Sequence, residues 1–277
     1  MPRVAEPTSP PGSGVGAAAR GARTIVVALV GSLFLLFIVA PIAGLVASGG
    51  ARGLASLAVD RELRSSLLLT ALTATLATAL GVIGGTPVAY LLARRAFRGR
   101  AIVAAVLDLP LVIPHPVAGI ALLLVLGRAT PLGSALYAAG LRVTGSTTGI
   151  VCAMLFVSAP LYVSAAREAF ARVDARYESV ARTLGDGAWG AFRRVTLPLA
   201  GRGLTAAAMV MWGRAISEFG AIVILTYNPK VASVLSYDRF TSTGLSGAVP
   251  VGAVLVLFAL VPLVVLRALR TDEWREP

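Results

Sequence analysis

The sequence predicts an all-α polytopic membrane protein with about six transmembrane helices and both termini on the cytoplasmic side. Of its 277 residues, 57% are hydrophobic and 14% are charged, whereas soluble domains average roughly a quarter charged residues. Long stretches lack charge altogether, and about 20 apolar residues in a helix cross a bilayer. The composition excludes a wholly disordered chain, a coiled coil and a nucleic-acid-binding protein, because each needs far more charge.

Charge-free stretches place the helices in order along the chain. Residues 1–23 are rich in Pro, Gly, Ser and Ala, which predicts a disordered tail before the first helix. The predicted spans are residues 24–47, 65–93, 101–127, 143–166, 203–227 and 240–266. The third span contains one charge, Asp108, and the fifth contains Arg214 and Glu218. Residues 268–277 are predicted to form a C-terminal tail.

The distribution of basic residues sets the orientation of these spans. With the N-terminus inside, the cytoplasmic segments hold 17 Lys and Arg residues and the outer segments hold 7. Loops on the cytoplasmic side of membrane proteins are enriched in Lys and Arg. Both tails and the long connection between the fourth and fifth spans are therefore predicted to be cytoplasmic.

The long connection, residues 167–202, is predicted to contain two short amphipathic helices. Residues 168–184 read as a helix that Gly185 ends as a C-terminal cap. Residues 188–195 read as a second helix, and Leu197-Pro198 is expected to stop it. Two amphipathic helices around a glycine turn indicate a docking element for another protein. A stretch that lies on the membrane surface is the alternative.

At these residues the chain resembles the membrane subunits of binding-protein-dependent ABC importers. Their cytoplasmic signature is E-A-A, three residues, Gly, nine residues and Ile-x-Leu-Pro. Here Gly185 is followed by nine residues, then Val195, one residue and Leu197-Pro198. The E-A-A positions hold Ser-Val-Ala, and Glu178 lies one residue earlier. The resemblance covers about residues 65–267.

The resemblance implies that this loop inserts two coupling helices into a groove on an ATP-hydrolysing subunit. Aromatic and aliphatic side chains would fill the groove, and Arg182, Arg193 and Arg194 would lie on its rim. The coupling residues that the resemblance implies are Tyr177, Glu178, Ala181, Arg182, Leu184, Gly185, Trp189, Phe192, Val195, Leu197 and Pro198. It also implies a type I ABC importer permease fold.

Two further segments resemble the oxyanion branch of this family, which covers molybdate, tungstate and sulfate permeases. They read LPLVIPHPVAGIALLLVLGR at residues 109–128 and WGRAISEFGAIVIL at residues 212–225. Both are closest to molybdate and tungstate members, with sulfate as the second candidate. Specificity in such systems rests largely on a separate binding protein, so this chain alone does not identify the anion.

Ionisable residues inside a membrane are costly and call for an explanation. Arg214 and Glu218 are four residues apart and share one helix face. They are either a self-neutralising pair that faces the helix bundle or a polar element of the anion pathway. Asp108 is expected to be a helix-packing partner.

Three prolines, at positions 110, 114 and 116, must interrupt the third span. Broken helices are tolerated at membrane depth where they line a cavity or are buried in protein. Pro114 and His115 are therefore candidate residues of the translocation pathway. One His and one Cys leave no basis for a metal site, and no cofactor is expected.

The resemblance implies a multi-pass protein of a prokaryotic cytoplasmic membrane that works as a homodimer. Two ATPase subunits would dock on the cytoplasmic loops, and an extracytoplasmic binding protein would dock outside. The sequence contains no G-x-x-x-x-G-K-[ST] motif, so ATP hydrolysis is expected on a separate chain. The surrounding membrane lipid is the remaining partner that the resemblance implies. No nucleic-acid partner is expected.

Two other classes of protein fit the residue inventory less well. A self-sufficient secondary carrier needs polar pairs at the midplane and internal inverted repeats. Only Asp108, Arg214 and Glu218 are available for such pairs, and no clear repeat occurs. An intramembrane enzyme would need a catalytic dyad or a metal site that this residue inventory lacks.

Overall fold

The structure, a computed structural model, describes residues 13–270, and all regular secondary structure in that range is helical. The α-helices are α1 (Ser13–Val59), α2 (Arg61–Arg94), α3 (Arg100–Val112), α4 (His115–Leu126), α5 (Pro131–Ala138), α6 (Thr147–Arg172), α7 (Ala175–Thr183), α8 (Ala188–Ala191), α9 (Leu197–Ile216), α10 (Gly220–Leu225), α11 (Ala232–Thr243) and α12 (Leu245–Arg270). One π-helical turn, Phe192–Thr196, lies between α8 and α9.

The number of membrane spans agrees with the sequence. Within the described residues, five helical segments are long and apolar enough to cross a membrane, and the bent pair α3–α4 makes a sixth if it counts as one span. The all-α polytopic prediction is therefore confirmed. The two helices of the bent pair meet at an angle of 114°, where Ile113 and Pro114 interrupt the helix.

The first helix is longer than predicted at both ends. It runs from Ser13 to Val59, so the expected disorder is wrong for residues 13–23, where an Ala-rich stretch favours helix. Residues 1–12 and 271–277, on which parts of the two predicted tails fall, lie outside the described residues. Val27 and Phe37 are 72% and 76% exposed. Such an apolar helix is stable only within a membrane or against another chain.

The core is formed by α2, α6 and α9, which pack closely because small residues line their contacts. A Cβ added to Gly81 would lie 2.2 Å from the Met211 side chain on α9. A Cβ added to Gly85 would lie 2.8 Å from Tyr162 on α6. Glycines at this spacing share one helix face and let membrane helices approach closely, so α2 packs against both α9 and α6 along this face.

Two predicted helix boundaries in the cytoplasmic loop are wrong. The helix expected over residues 168–184 is divided, because α6 ends at Arg172 and Asp174 caps a new helix, α7. Leu197-Pro198 does not stop the second helix. Pro198 lies in the first turn of α9, where a residue without an N–H is tolerated, and the Leu197 N–H bonds to the Phe192 carbonyl across the π-turn.

The fifth predicted span is also divided. The helix α9 begins at Leu197, six residues before the expected start, and ends at Ile216. The short helix α10 continues from Gly220 to Leu225. The break between them falls beside Glu218, which is one of the two charged residues singled out in this span.

Candidate functional site

The cytoplasmic loop folds as the predicted helix–glycine–helix unit. Gly185 has φ +102°, a conformation that glycine adopts without strain. Its N–H donates to the Arg182 carbonyl, and the Asp186 N–H donates to the Ala181 carbonyl, both over 3.1 Å. These two bonds form a Schellman motif. The prediction of Gly185 as a C-terminal cap is therefore confirmed.

The structure divides the eleven predicted coupling residues into two groups. The exposed ones are Tyr177, Arg182, Leu184, Gly185, Trp189 and Pro198, and the half-buried ones are Glu178, Ala181, Phe192, Val195 and Leu197. Leu184 is 84% exposed and Trp189 is 70% exposed. Val180, which the sequence reading did not include, is also exposed on α7. Large apolar side chains in this position form a surface that a partner would cover.

Phe192 faces inward, contrary to its expected place in the docking groove. Its ring centroid lies 4.7 Å from that of Tyr90 on α2 and 6.2 Å from that of Phe170 on α6. Trp189 stacks on the other side of Phe192 at 5.4 Å. Aromatic contacts of this kind stabilise packing beyond the area that they bury. Phe192 therefore packs between Trp189 and the transmembrane helices.

Glu178 also faces inward, and its carboxylate contacts three residues in two elements of the fold. Tyr90 Oη on α2 donates to Oε2 over 3.0 Å, and Thr196 Oγ1 in the π-turn donates to Oε1 over 2.6 Å. Arg94 Nε, in the last turn of α2, lies 3.1 Å from Oε1. Sequence reasoning missed Tyr90, Arg94 and Thr196, because their partner is distant along the chain.

Among the basic residues expected on the rim, Arg194 has a defined partner. Its Nη1 lies 2.6 Å from Asp186 Oδ1, just beyond the glycine turn. The Arg194 side chain is exposed, so this ion pair contributes little to stability. It links the π-turn to the residue that follows Gly185.

Inside the membrane, the structure brings Arg214, Glu218 and His115 together. Arg214 Nη2 lies 2.8 Å from Glu218 Oε2, and His115 Nδ1 lies 2.8 Å from the same oxygen. Arg214 Nη2 also lies 2.9 Å from His115 Nε2. Arg214 Nη2 lies closer still, at 2.6 Å, to His115 Nδ1. The three side chains therefore form one contiguous polar cluster.

The backbone positions this polar cluster through two close glycine contacts. A Cβ on Gly220 would lie 2.7 Å from His115 Cβ, and a Cβ on Gly119 would lie 2.7 Å from the Ala221 carbonyl oxygen. Glycine at both positions therefore lets α4 pack directly on α10. Pro114 precedes α4 as its N-terminal cap residue, which directs the chain so that His115 reaches α9.

Glu218 is held from several directions. The Ala221 N–H donates to its Oε1 over 2.9 Å, and Ser233 Oγ donates to its backbone carbonyl over 2.7 Å. The Glu218 side chain is 1% exposed, whereas those of Arg214 and His115 are 22% and 38% exposed. The cluster therefore presents a guanidinium edge and an imidazole edge on a surface at membrane depth, with the neutralising carboxylate behind them.

Asp108 lies apart from this cluster. It is exposed on α3 and lines a small crevice with Ser164 and Arg167 of α6. That position is compatible with the expected role in helix packing, and it gives Asp108 no contact with His115, Arg214 or Glu218 among the described residues.

On the side opposite the coupling loop, ion pairs join α11 to the start of α2. Arg239 Nη2 lies 2.6 Å from Asp60 Oδ2 and 3.3 Å from Glu62 Oε2. Lys230, just before α11, places its Nζ 2.7 Å from Oδ2 of Asp238 within α11. Burial acts to raise the pKa of Asp60, but hydrogen bonds from the Leu63 N–H and from Arg239 lower it overall. The hydrogen bond from Lys230 lowers the pKa of Asp238.

Comparison with known proteins gives relatives over most of the chain. Residues 85–271 match the family model of the binding-protein-dependent transport system inner membrane component. The molybdate/tungstate transport system permease protein WtpB of Thermococcus kodakarensis is 41% identical over 209 residues, which are 76% of this chain and 78% of that protein. A probable molybdenum ABC transporter permease protein of Haloferax volcanii is 40% identical over 251 residues, which are 89% of this chain and 90% of that protein.

Sulfate permeases are less similar, and the solved structures that match share the fold. A probable sulfate transport system permease protein of Chlorella vulgaris is 32% identical over 222 residues, 79% of this chain and 84% of that protein. A crystal structure of a bacterial alginate ABC transporter, in complex with its alginate-bound periplasmic protein, superposes with a TM-score of 0.70 at 18% identity and covers 94% of this chain and 96% of that one. The chain has the type I ABC importer permease fold and belongs to the family of binding-protein-dependent transport system inner membrane components.

Proposed function

We propose that this chain is the permease subunit of an ATP-driven importer that carries molybdate or tungstate across the cytoplasmic membrane of a prokaryote. The observation that carries the proposal is the 41% identity to a molybdate/tungstate permease over three quarters of the chain. Sulfate or thiosulfate is the second candidate, favoured by the 32% identity to a sulfate permease. The chain itself is not an enzyme, and the ATPase lies on a separate chain.

The exposed apolar side chains of the coupling loop are the proposed docking surface for the ATPase subunits. Leu184, Trp189 and Tyr177 are exposed. Leu184 and Trp189 lie between the fixed positions of the family signature, and Tyr177 lies just before them. Two ATPase subunits would dock on two copies of this chain. A binding protein outside the cell would deliver the anion. ATP-driven closure of the ATPase pair would then move the coupling helices and switch the pathway.

The exposed edges of Arg214 and His115, with Pro114 at the start of α4, are the proposed wall of the translocation pathway. A guanidinium at membrane depth needs a counter-charge or water, and Arg214 has both Glu218 behind it and an exposed edge. The guanidinium supplies a local positive potential for a tetrahedral dianion. The adjacent carboxylate keeps that attraction weak enough for release.

Reconstitution tests this proposal. The chain would be purified with a P-loop ATPase and a binding protein encoded beside it and placed in vesicles. We expect ATP-dependent accumulation of labelled molybdate that needs all three proteins. A secondary carrier would accumulate the anion without the ATPase subunit, and that result would overturn the proposal.

A further inference from the structure

Glu178 lies where the coupling loop meets the transmembrane bundle. It is the acidic residue of the docking helix α7, yet its side chain is only 18% exposed. Both carboxylate oxygens are engaged within the chain, one by Tyr90 and the other by Thr196 and Arg94. Both oxygens are therefore already held by contacts within the chain.

We propose that Glu178 is a positioning residue that transmits movement of the docking helices to the transmembrane helices, and is not itself a docking contact. This inference rests on the proposed function, since it assumes that an ATPase subunit moves α7. The carboxylate joins α7 to the end of α2 through Tyr90 and Arg94, and to the π-turn through Thr196. A displacement of α7 therefore either moves α2 and the π-turn with it or breaks these contacts.

Arg94 contributes to this joint through its charge and not through a hydrogen bond. The Arg94 side chain is 12% exposed, and its buried Nε and Nη2 atoms have no hydrogen-bond partner among residues 13–270. Within that range its only ion-pair partner is Glu178. Removal of the carboxylate would leave a buried guanidinium unpaired, which is strongly unfavourable. Separation of α7 from α2 carries the same penalty, so the two move together.

Beyond the π-turn, the helix leads directly to the polar cluster. The segment Ala188–Ile216 is helical throughout and contains 29 residues, which span roughly 43 Å at 1.5 Å per residue. Thr196 lies near its cytoplasmic end, and Arg214 lies near the other. Glu178 therefore contacts the cytoplasmic part of the helical segment whose other end carries Arg214, the proposed pathway residue. Beside the joint, the ring of Tyr90 packs against those of Phe192 and Phe170. These contacts hold α2, α6 and the π-turn together.

The experiment compares Glu178→Gln with Glu168→Gln in the complete complex. Glu168 is an exposed glutamate on α6, so its substitution controls for the loss of one negative charge. Three quantities are measured: the ATPase subunit that co-purifies, the rate of ATP hydrolysis, and ATP-dependent molybdate uptake. For Glu178→Gln we expect normal co-purification and at least a tenfold fall in anion transported per ATP. Tyr90→Phe and Thr196→Val, which each remove one hydroxyl, should give smaller falls.

A double variant separates transmission from a merely structural role. In Glu178→Gln with Arg94→Gln no buried charge is left unpaired, so the melting temperature should return toward the wild-type value while transport per ATP stays low. Recovery of transport in this double variant would overturn the inference, as would wild-type transport per ATP in Glu178→Gln. Loss of ATPase co-purification from folded Glu178→Gln would show a docking contact instead. Failure of the wild-type complex to transport molybdate would refute the proposed function.

Discussion

Oε2 of Glu218 lies 2.8 Å from Nη2 of Arg214, and the same oxygen lies 2.8 Å from Nδ1 of His115. One buried carboxylate thus holds two side chains that come from separate helices. The guanidinium and the imidazole remain partly exposed, so the carboxylate sets their positions without closing the surface.

Removal of the carboxylate alone should be more harmful than removal of both charges. Glu218→Gln leaves Arg214 without its counter-charge inside the membrane, and we expect a loss of about 3–5 kcal/mol of stability. The double variant Glu218→Gln with Arg214→Gln should be closer to wild type, because no charge is left buried. Thermal unfolding of the detergent-solubilised protein measures both. Equal stability of the single and double variants would contradict this reading of the pair.

The same double variant decides between the two interpretations of Arg214. If the pair serves only to neutralise itself within the bundle, a folded double variant should still take up molybdate at close to the wild-type rate. If Arg214 forms part of the pathway wall, uptake should fall at least tenfold although the complex assembles. The measurement is initial uptake into vesicles at saturating ATP.

Leu184 is the cleanest test of the docking surface, because it is 84% exposed and its substitution disturbs no core contact. We expect Leu184→Asp to weaken ATPase binding by about 2 kcal/mol or more, roughly thirtyfold in affinity. Leu141→Asp is the matched control, since Leu141 is 51% exposed on the outer side. Binding is measured by titration of the ATPase subunit onto the immobilised permease. If the two variants bind equally well, the docking surface lies elsewhere.

Gly185 should tolerate asparagine far better than valine. Its φ of +102° lies where a side chain is strained, and a left-handed conformation costs ordinary residues roughly 1–2 kcal/mol. Asparagine adopts such conformations more readily than β-branched residues. We therefore expect Gly185→Val to lose ATP-coupled uptake and Gly185→Asn to retain most of it. An added Cβ would meet nothing within 4 Å, so the two variants differ in backbone preference and not in steric clash. Equal ATP-coupled uptake by both would show that coupling does not depend on the backbone conformation at Gly185.

The outer ion pair Lys230–Asp238 should stabilise the fold in a pH-dependent manner. Because the folded-state pKa of Asp238 lies below its ordinary value of 3.8, the stabilisation is complete above about pH 4 and is lost as the pH falls through the lowered pKa. The difference in melting temperature between wild type and Asp238→Asn should therefore shrink below about pH 4. A difference that stays constant as far as pH 2 would contradict this assignment.

The sequence alone predicted the features that depend on local pattern. Hydropathy gave the number of spans, and the spacing after Gly185 gave the helix–turn–helix unit. Proline positions predicted a break in the third span, although its 114° angle depends on how α4 packs against α10. The exposed position of Leu184 also follows from local amphipathicity.

Other features depend on partners that are distant along the chain. Glu178 bonds to Tyr90, which lies 88 positions away, and His115 bonds to Glu218, which lies 103 positions away. No local pattern indicates either pair. Phe192 was expected on the docking surface because periodicity shows which residues share a face and does not show what that face contacts.

Competition between anions tests the central claim most directly. Vesicles that contain the permease, its ATPase subunit and its binding protein would take up labelled molybdate with ATP inside and an excess of one unlabelled anion outside. The account predicts that tungstate abolishes uptake of the label and that sulfate at the same concentration leaves most of it. Inhibition by sulfate with no effect of tungstate would contradict the assignment to the molybdate/tungstate branch.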